Sequence, residues 1–300
     1  MYQAYPPAGA APGRIRASIE IVKASWAVLR HDKSLIWLPV LSFLATAVTV
    51  ALFAAGIFAV SDFDSGVSST VDGSGSQISV AGYVLMFLLY LALAIITVFF
   101  NAALVSAAHE RLTGGDPTIE SALAGATHRF GALLPWAIVS ATVSTILKSI
   151  QERSGLLGRI VVGFVGMAWA LVTFLVLPII VVEGLSVGDA IRRSKDLFKR
   201  TWGEQVVGNV GIGLVGVLAI LAFAPVAVAA FLLDITALTI AVGVAWALWA
   251  AVVIAVSSAM SGIFQTALYL YASTGTPPAA YSAAAVQAAF KPGRGARRLG

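Results

Sequence analysis

The sequence predicts an all-α membrane protein, a polytopic bundle of six transmembrane helices arranged as three helical hairpins. Of the 300 residues, 59% are hydrophobic and only 11% are charged, whereas soluble domains carry about 25% charged residues. Residues 35–60 contain no charge and exceed the ~20 residues that a helix needs to cross a bilayer. Because lipid supplies no water for backbone polar groups, such stretches must be helical.

The apolar stretches predict six spans at about 35–60, 81–108, 131–148, 160–182, 206–232 and 236–272. The last stretch would be about 55 Å long as one helix, against a bilayer core of about 30 Å. Either this helix projects past the membrane or Asp234–Gly243 forms a separate cap. Pro178 and Pro225 lie inside spans, and each removes a backbone hydrogen bond, so both helices should be kinked there.

The positive charges predict the orientation. Sixteen of the 19 Lys and Arg residues lie in the N-terminal segment, the connections 109–130 and 183–205, and the C-terminal tail. Six spans place all four segments on one side, and short connections rich in Lys and Arg stay in the cytoplasm. Both termini are therefore predicted to be cytoplasmic. Arg153 and Arg159 fall on the opposite side; a re-entrant third segment is the alternative that would bring them inside.

Residues 14–291 are predicted to form one membrane domain. It lies between a disordered tail, 1–13, and a basic tail, 292–300. The first 13 residues are rich in Pro, Ala and Tyr and have no positive segment leading into an apolar core. No cleavable signal peptide is therefore expected, and the first span should remain as an anchor.

An internal repeat precedes the spans. Apolar residues recur at i, i+4, i+7 and i+11, which marks one face of a helix. The four copies are Ile15/Ile19/Val22/Trp26, Ile119/Leu123/Ala126/Phe130, Val187/Ile191/Ser194/Phe198 and Ala279/Ala283/Val286/Phe290. Thr118 and Ser186 stand where an N-cap would lie. The pattern predicts an amphipathic cytoplasmic surface helix before each hairpin, with its aromatic residue turned toward the membrane or the bundle.

Polar residues inside the spans are candidates for a site. Charged residues in spans are the usual sign of ion-coupled transport, and the predicted span interiors contain none. Three amides remain: Asn101, Asn209 and Gln265. Asn101 and Gln265 occupy matching positions in the repeat. They either form interhelical hydrogen bonds or line a cavity for a neutral or lipid-like ligand.

The basic surface helices are candidates for contact with lipid. Amphipathic helices of this kind bury an apolar face at the headgroup boundary, and their cations attract anionic lipid. The residues predicted to contact headgroups are Arg192, Arg193, Lys195, Lys199 and Arg200. Simple interfacial packing is the alternative. No nucleic-acid partner is expected, because the positive charge lies beside the spans.

The sequence gives no pattern typical of catalysis. The absence of cysteine excludes disulfides, thiol catalysis and cysteine metal sites. His31, His109 and His128 are separated and lie at predicted membrane edges, and no nucleophile motif is present. No catalytic residue, metal or cofactor is therefore predicted, and the protein is not expected to be an enzyme.

Three segments carry a resemblance to a known group of proteins. ASWAVLRHDKSLIWLPVLS (24–42), AIRRSKDLFKRTWGEQVVGNVGIGL (190–214) and IFQTALYLYASTGTPP (263–278) resemble uncharacterised six-span membrane proteins typical of actinobacteria. More distantly, the layout is similar to the membrane domain of some glycerophosphodiester phosphodiesterases, whose catalytic domain these residues do not include. The resemblance implies a multi-pass protein of the bacterial plasma membrane and implies no reaction.

Three classes of function remain. The sequence favours a non-enzymatic membrane component that handles lipid or supports an envelope complex. The alternative is a transporter or channel for a neutral or lipid-like substrate, which predicts polar residues converging on one axis. A membrane-embedded lipid enzyme ranks last, because the sequence shows no acid–base or nucleophile cluster.

Overall fold

The computed structural model describes residues 14–32, 34–63, 80–201, 208–226, 228 and 236–281. Over these residues every regular element is an α-helix, as predicted. The helices are α1 (Arg14–His31), α2 (Ser34–Phe63), α3 (Val80–Leu112), α4 (Ile119–His128), α5 (Phe130–Arg153), α6 (Leu156–Thr173), α7 (Val176–Glu183), α8 (Val187–Thr201), α9 (Gly208–Leu221) and α10 (Thr236–Thr274). Both predicted tails and most of the fourth repeat copy lie outside the described residues.

Five segments are long and apolar enough to cross a membrane. They are Ser34–Gly56, Phe87–Leu112, Phe130–Arg153, Gly158–Glu183 and Thr236–Thr274. They correspond to five of the six predicted spans. Of the remaining one, 206–232, the described part contains α9, of 14 residues, and the apolar segment Val215–Val226 that overlaps its end, and neither reaches the length that a bilayer core requires. The described residues therefore establish five candidate spans.

Two alternatives from the sequence are decided by helix continuity. α10 runs without interruption over 39 residues, about 58 Å at 1.5 Å per residue. Its first turns include Gly243, so the long last helix projects beyond one bilayer thickness and residues 236–243 form no separate cap. α5 is likewise one continuous helix of 24 residues, without the turn that a re-entrant segment needs.

The protein-buried core lies at one end of the bundle, where the connections meet; we call this end the connector face. α1, α4, α8 and the turn after α10 form it. Four hydrogen bonds between separate segments lie at this end: Ser34 Oγ to the Pro117 carbonyl at 3.2 Å, Arg129 Nε to the Val181 carbonyl at 3.3 Å, the Tyr269 hydroxyl to Glu183 Oε1 at 3.1 Å, and the pair Ser25 Oγ and Tyr281 OH at 2.8 Å. Burial raises the pKa of the Tyr281 phenol, so it remains neutral beside Ser25.

Away from the connector face the spans keep large apolar side chains exposed. Leu52, Phe164 and Leu248 are each about two thirds exposed. In water such a surface would be unusual for a monomer, whereas lipid is as apolar as these side chains. The exposure pattern therefore agrees with membrane-embedded helices.

The three segments predicted as surface helices are helical. In α4 and α8, residues of the predicted face pack partly buried against the core, among them Ile119, Leu123, Ile191 and Phe198. In α1, Ile21, Ser25, Val28 and Leu29 are buried, whereas Trp26 is 47% exposed. The face predicted for α1 is therefore not the face that the protein buries, since α1 carries apolar residues on two sides. In α4 and α8 the buried residues are Ala122 and Ala126, and Ala190, Ser194 and Leu197.

Local capping follows the sequence. Thr118 Oγ1 accepts the Ser121 N–H at 3.0 Å, and Ser121 Oγ accepts the Thr118 N–H at 3.0 Å, forming a capping box. Ser186 Oγ accepts the Asp189 N–H at 3.4 Å. These bonds satisfy amide groups that the first turn leaves without partners, and both predicted N-caps are confirmed.

Candidate functional site

A cleft of about 240 Å³ opens between α2, α3 and α10. Its walls are mainly apolar, and Asn101 is the amide among them. The lining residues are Pro39, Ser42, Phe43, Thr46, Thr97, Phe100, Asn101, Leu104, Ala251, Ile254, Ala255 and Ser258. The cleft therefore joins three helices that are distant in sequence.

The cleft opens sideways and lies deep along the spans. Phe43 and Ile254 border it and are 62% and 60% exposed, so its mouth lies on the apolar outer surface. Asn101 is about 16 Å along α3 from Leu112, at 1.5 Å per residue. For a bilayer core of about 30 Å, that depth is close to the middle of the span.

The cleft holds polar groups that the protein does not use. Among the described residues, the Asn101 amide and the Ser42, Thr46 and Ser258 hydroxyls have no hydrogen-bond partner, whereas Thr97 Oγ1 donates to the Leu93 carbonyl at 2.8 Å. An amide offers two donors and one acceptor. Unpaired polar groups in an apolar environment are unfavourable, so they provide places for a ligand's hydroxyl, ester or amide.

Gln265, the predicted counterpart of Asn101, lies elsewhere and has a partner. Its Nε2 donates to the Phe174 carbonyl in the break between α6 and α7. In a continuous helix that carbonyl would accept the N–H of residue 178, but Pro178 has none. Gln265 supplies the missing donor, so it closes a gap that the proline opens. The sequence predicts a kink at Pro178, and the structure has a break between the helices that end at Thr173 and begin at Val176.

A second side chain supports the same break. Ser194 on α8 is fully buried, and its Oγ donates to the Val172 carbonyl at 2.5 Å. This carbonyl belongs to the last turn of α6, where intrahelical donors run out. Ser194 is the one non-apolar residue in its copy of the repeat. Sequence reasoning did not assign it this role.

Side chains of α10 also donate to carbonyls near the other proline, Pro225. α9 ends at Leu221, four residues before Pro225. Trp246 Nε1 donates to the Ile220 carbonyl at 3.3 Å, and Trp249 Nε1 donates to the Ala219 carbonyl at 3.0 Å. α10 therefore supplies side-chain donors to carbonyls at both interruptions.

An ionic cluster lies at the connector face beside α7. Glu183 Oε1 accepts from the Tyr269 hydroxyl at 3.1 Å and from Arg193 Nε at 3.3 Å. Arg129 packs against Gly184, whose φ of +70° ends α7 in the left-handed region that favours glycine. A Cβ at Gly184 would lie 2.4 Å from Arg129 Nη1. The cluster thus fixes the end of α7.

The residues predicted to contact headgroups differ in side-chain exposure and in ion pairing. Arg192 has an 83% exposed side chain and pairs with Asp189 at 3.5 Å, and Lys195 is exposed. Arg193 is less exposed and forms an ion pair with Glu183. The side chains of Lys199 and Arg200 lie outside the described residues. So does the side chain of Asn209, the third of the predicted amides. Arg192 and Lys195 are therefore the two placed where a headgroup could reach them.

Sequence reasoning identified Asn101 but missed its polar neighbours. Ser42 and Thr46 are four residues apart in an otherwise apolar span, so they share a helical face. This spacing was a usable signal in the sequence. The contribution of Ser258 was not readable, because it depends on which face α10 turns toward α3. Among the described residues, no group of three or more potential metal ligands is present.

Among the comparisons with known proteins, the match to one protein family covers most of the helical domain. No curated protein and no solved structure matches the chain. The likeness to the phosphodiesterase membrane domain and the actinobacterial distribution remain predictions. One family model matches residues 80–279, which is two thirds of the chain and runs from the start of α3 to just beyond α10. The chain therefore belongs to DUF6159, a family of unknown function.

Proposed function

We propose that this protein is a non-enzymatic integral membrane component that holds a neutral or lipid-like ligand in the cleft around Asn101. The observation that carries the proposal is the unpartnered amide in an apolar cleft that opens on the lipid-facing surface. A ligand arriving from the bilayer could enter through the side without crossing water. Its polar group would satisfy Asn101, and its apolar part would contact Phe43, Phe100 and Ile254.

The distribution of charge supports a neutral ligand. Across the described parts of the spans, Asp, Glu, Lys and Arg occur only at helix ends, as with Lys148, Arg159 and Glu183. A bare ion near mid-membrane needs a countercharge or many dipoles. The cleft offers one amide and a few hydroxyls. To bind there, an amphipathic molecule needs only such neutral hydrogen-bonding groups.

The proposal includes the membrane arrangement that the sequence predicts. Six spans would form three hairpins, α1, α4 and α8 would lie at the cytoplasmic surface, and the connector face would be cytoplasmic in the bacterial plasma membrane. The order of the helices supports it, since each of these three polar helices precedes apolar ones. The 16 Lys and Arg residues on that side support it as well.

Cysteine accessibility tests this arrangement. The native chain has no cysteine, so single cysteines at Ser18 and Ser282 report without background. Both should resist a membrane-impermeant maleimide in intact cells and react after permeabilisation. Labelling of either from outside intact cells would contradict the proposed orientation.

Replacing Asn101 by Leu is expected to reduce bound lipid without reducing stability. The Asn101 amide has no partner among the described residues, so its removal breaks no internal hydrogen bond, and Leu fills part of the cleft. Mass spectrometry of lipid co-purified in mild detergent should show a loss of more than half, with an unchanged melting temperature. Ser258→Val, which changes another wall of the cleft, should act in the same direction.

Thr49→Val is the matched control. Thr49 lies in α2 outside the cleft lining, and its hydroxyl donates only to the Ala45 carbonyl of its own helix. This variant should retain lipid as the parent does. If Asn101→Leu retains the full amount of lipid, the cleft is not a ligand site. If it loses lipid only together with stability, Asn101 has a structural role instead.

A further inference from the structure

A second cavity, of about 420 Å³, lies at the junction of α1 and α2. It is lined by Trp26, Leu29, Arg30, Ile36 and Trp37. Trp26 and Trp37 are 47% and 56% exposed, so an indole from each helix borders the opening. The junction is where a polar helix meets the first apolar span. Trp side chains are enriched at that level of a membrane because their rings have both apolar and polar parts.

Arg30 gives this cavity an available positive charge. It is exposed, and it makes no ion pair within the described residues. The nearest acid in sequence, Asp32, is directed elsewhere: its Oδ1 accepts from the Ser34 N–H at 3.1 Å and the Ser34 hydroxyl at 2.5 Å. A guanidinium without a protein carboxylate, beside two indoles, is suited to a phosphate.

The junction cavity and the Asn101 cleft follow one face of α2. Ile36 lines the cavity, whereas Pro39 and Phe43 line the cleft. These positions are spaced i, i+3 and i+7, so they lie one above another on the helix. From Ile36 to Phe43 the helix rises about 10 Å. The two lined regions are therefore successive levels of the same helical face.

We infer that the two regions together bind one anionic phospholipid, with its phosphate at Arg30 between Trp26 and Trp37 and an acyl chain along α2 into the Asn101 cleft. The lengths agree. Half of a bilayer core is about 15 Å, and α2 rises about 18 Å from Ser34 to Thr46. The acyl route rests on the proposed function of the cleft, whereas the headgroup site rests on Arg30 and the two indoles alone.

The test uses the full-length protein, delipidated in detergent and titrated with phosphatidylglycerol or phosphatidylcholine of identical acyl chains, with native mass spectrometry as the readout. The parent should bind phosphatidylglycerol about five-fold more tightly, since one interfacial cation contributes about 1 kcal/mol toward anionic lipid. Arg30→Gln should abolish this preference and should weaken binding of phosphatidylcholine by a smaller factor, because the choline of that lipid offsets the charge of its phosphate. Arg30→Lys should retain most of the preference.

Lys23→Gln is the matched control, because Lys23 is an exposed cation of α1 outside the cavity lining and outside the residues predicted to contact headgroups. It should keep the preference. If Arg30→Gln also keeps it, or Lys23→Gln loses it equally, the headgroup site is refuted.

Asn101→Leu separates this inference from the proposed function. Weaker binding of both lipids with the preference intact supports the acyl route. Unchanged binding of both lipids refutes the cleft and the acyl route, and loss of preference in Arg30→Gln would then still support the headgroup site.

Discussion

Replacing Gln265 by Met is expected to lower the free energy of unfolding by about 0.5–1.5 kcal/mol, the net contribution of one intramolecular hydrogen bond. Met keeps the length of the side chain and removes the amide donor. The Phe174 carbonyl then loses the bond that Gln265 supplies. Pro178 cannot replace it, because proline has no N–H. The midpoint of thermal or SDS-induced unfolding measures the loss.

Pro178→Ala provides the decisive partner variant. An alanine at this position has an N–H that can donate to the Phe174 carbonyl and join α6 to α7. In that background Gln265→Met should be much less harmful, so the double-mutant cycle should show a coupling of at least about 0.5 kcal/mol. If the losses in free energy of unfolding caused by the two substitutions simply add, Gln265 and the proline gap are unrelated. The assigned role of Gln265 would then be wrong.

Replacing Gly262 by Val is expected to destabilise the protein by about 3 kcal/mol, the upper part of the range for overpacking a close-packed core. A Cβ at Gly262 would lie 2.4 Å from Leu104 Cδ2 and 2.8 Å from its Cγ. Leu104 is only 1% exposed, so its side chain has little space into which to move. α3 and α10 would have to separate at the connector-face side of the Asn101 cleft.

Gly243→Val is the control for Gly262→Val. Gly243 lies in the same helix, and a Cβ there would meet nothing within 4 Å. Its replacement should leave the unfolding midpoint nearly unchanged. In a Leu104→Ala background, which removes the colliding atoms, Gly262→Val should cost less than in the parent. If Gly262→Val lowers the free energy of unfolding equally in both backgrounds, contact with Leu104 is not what restricts the side chain at position 262.

The molecule has two regions with different roles, one around Gln265 and Gly262 and one around the Asn101 cleft. The contacts of Gln265 and Gly262 hold α10 against α7 and α3 near the connector face. The Asn101 cleft lies farther along α3 and α10, where most side chains face outward and internal hydrogen bonds across helices are few among the described residues. Stability should therefore depend on the first region and ligand binding on the second.

The sequence by itself determined the class of the protein and the outline of its helices. Apolar length, absence of charge and capping residues act locally, so segments such as 35–60 and caps such as Thr118 could be read directly. The proline rule also acts locally, and the interruption beside Pro178 followed from it. The span predicted at 206–232 stays a prediction, because part of it lies outside the described residues.

Only the tertiary structure decided which polar side chain has a partner. Asn101 and Gln265 occupy equivalent positions in the sequence pattern, yet Gln265 meets the carbonyl that Pro178 leaves open, whereas Asn101 faces a cleft. The same holds for α1, whose buried face includes Ser25 and not Trp26. The physical reason is that a hydrogen bond or a buried contact requires a partner at a few ångströms. In this fold those partners come from segments up to 256 residues away in the chain, a separation that no local pattern encodes.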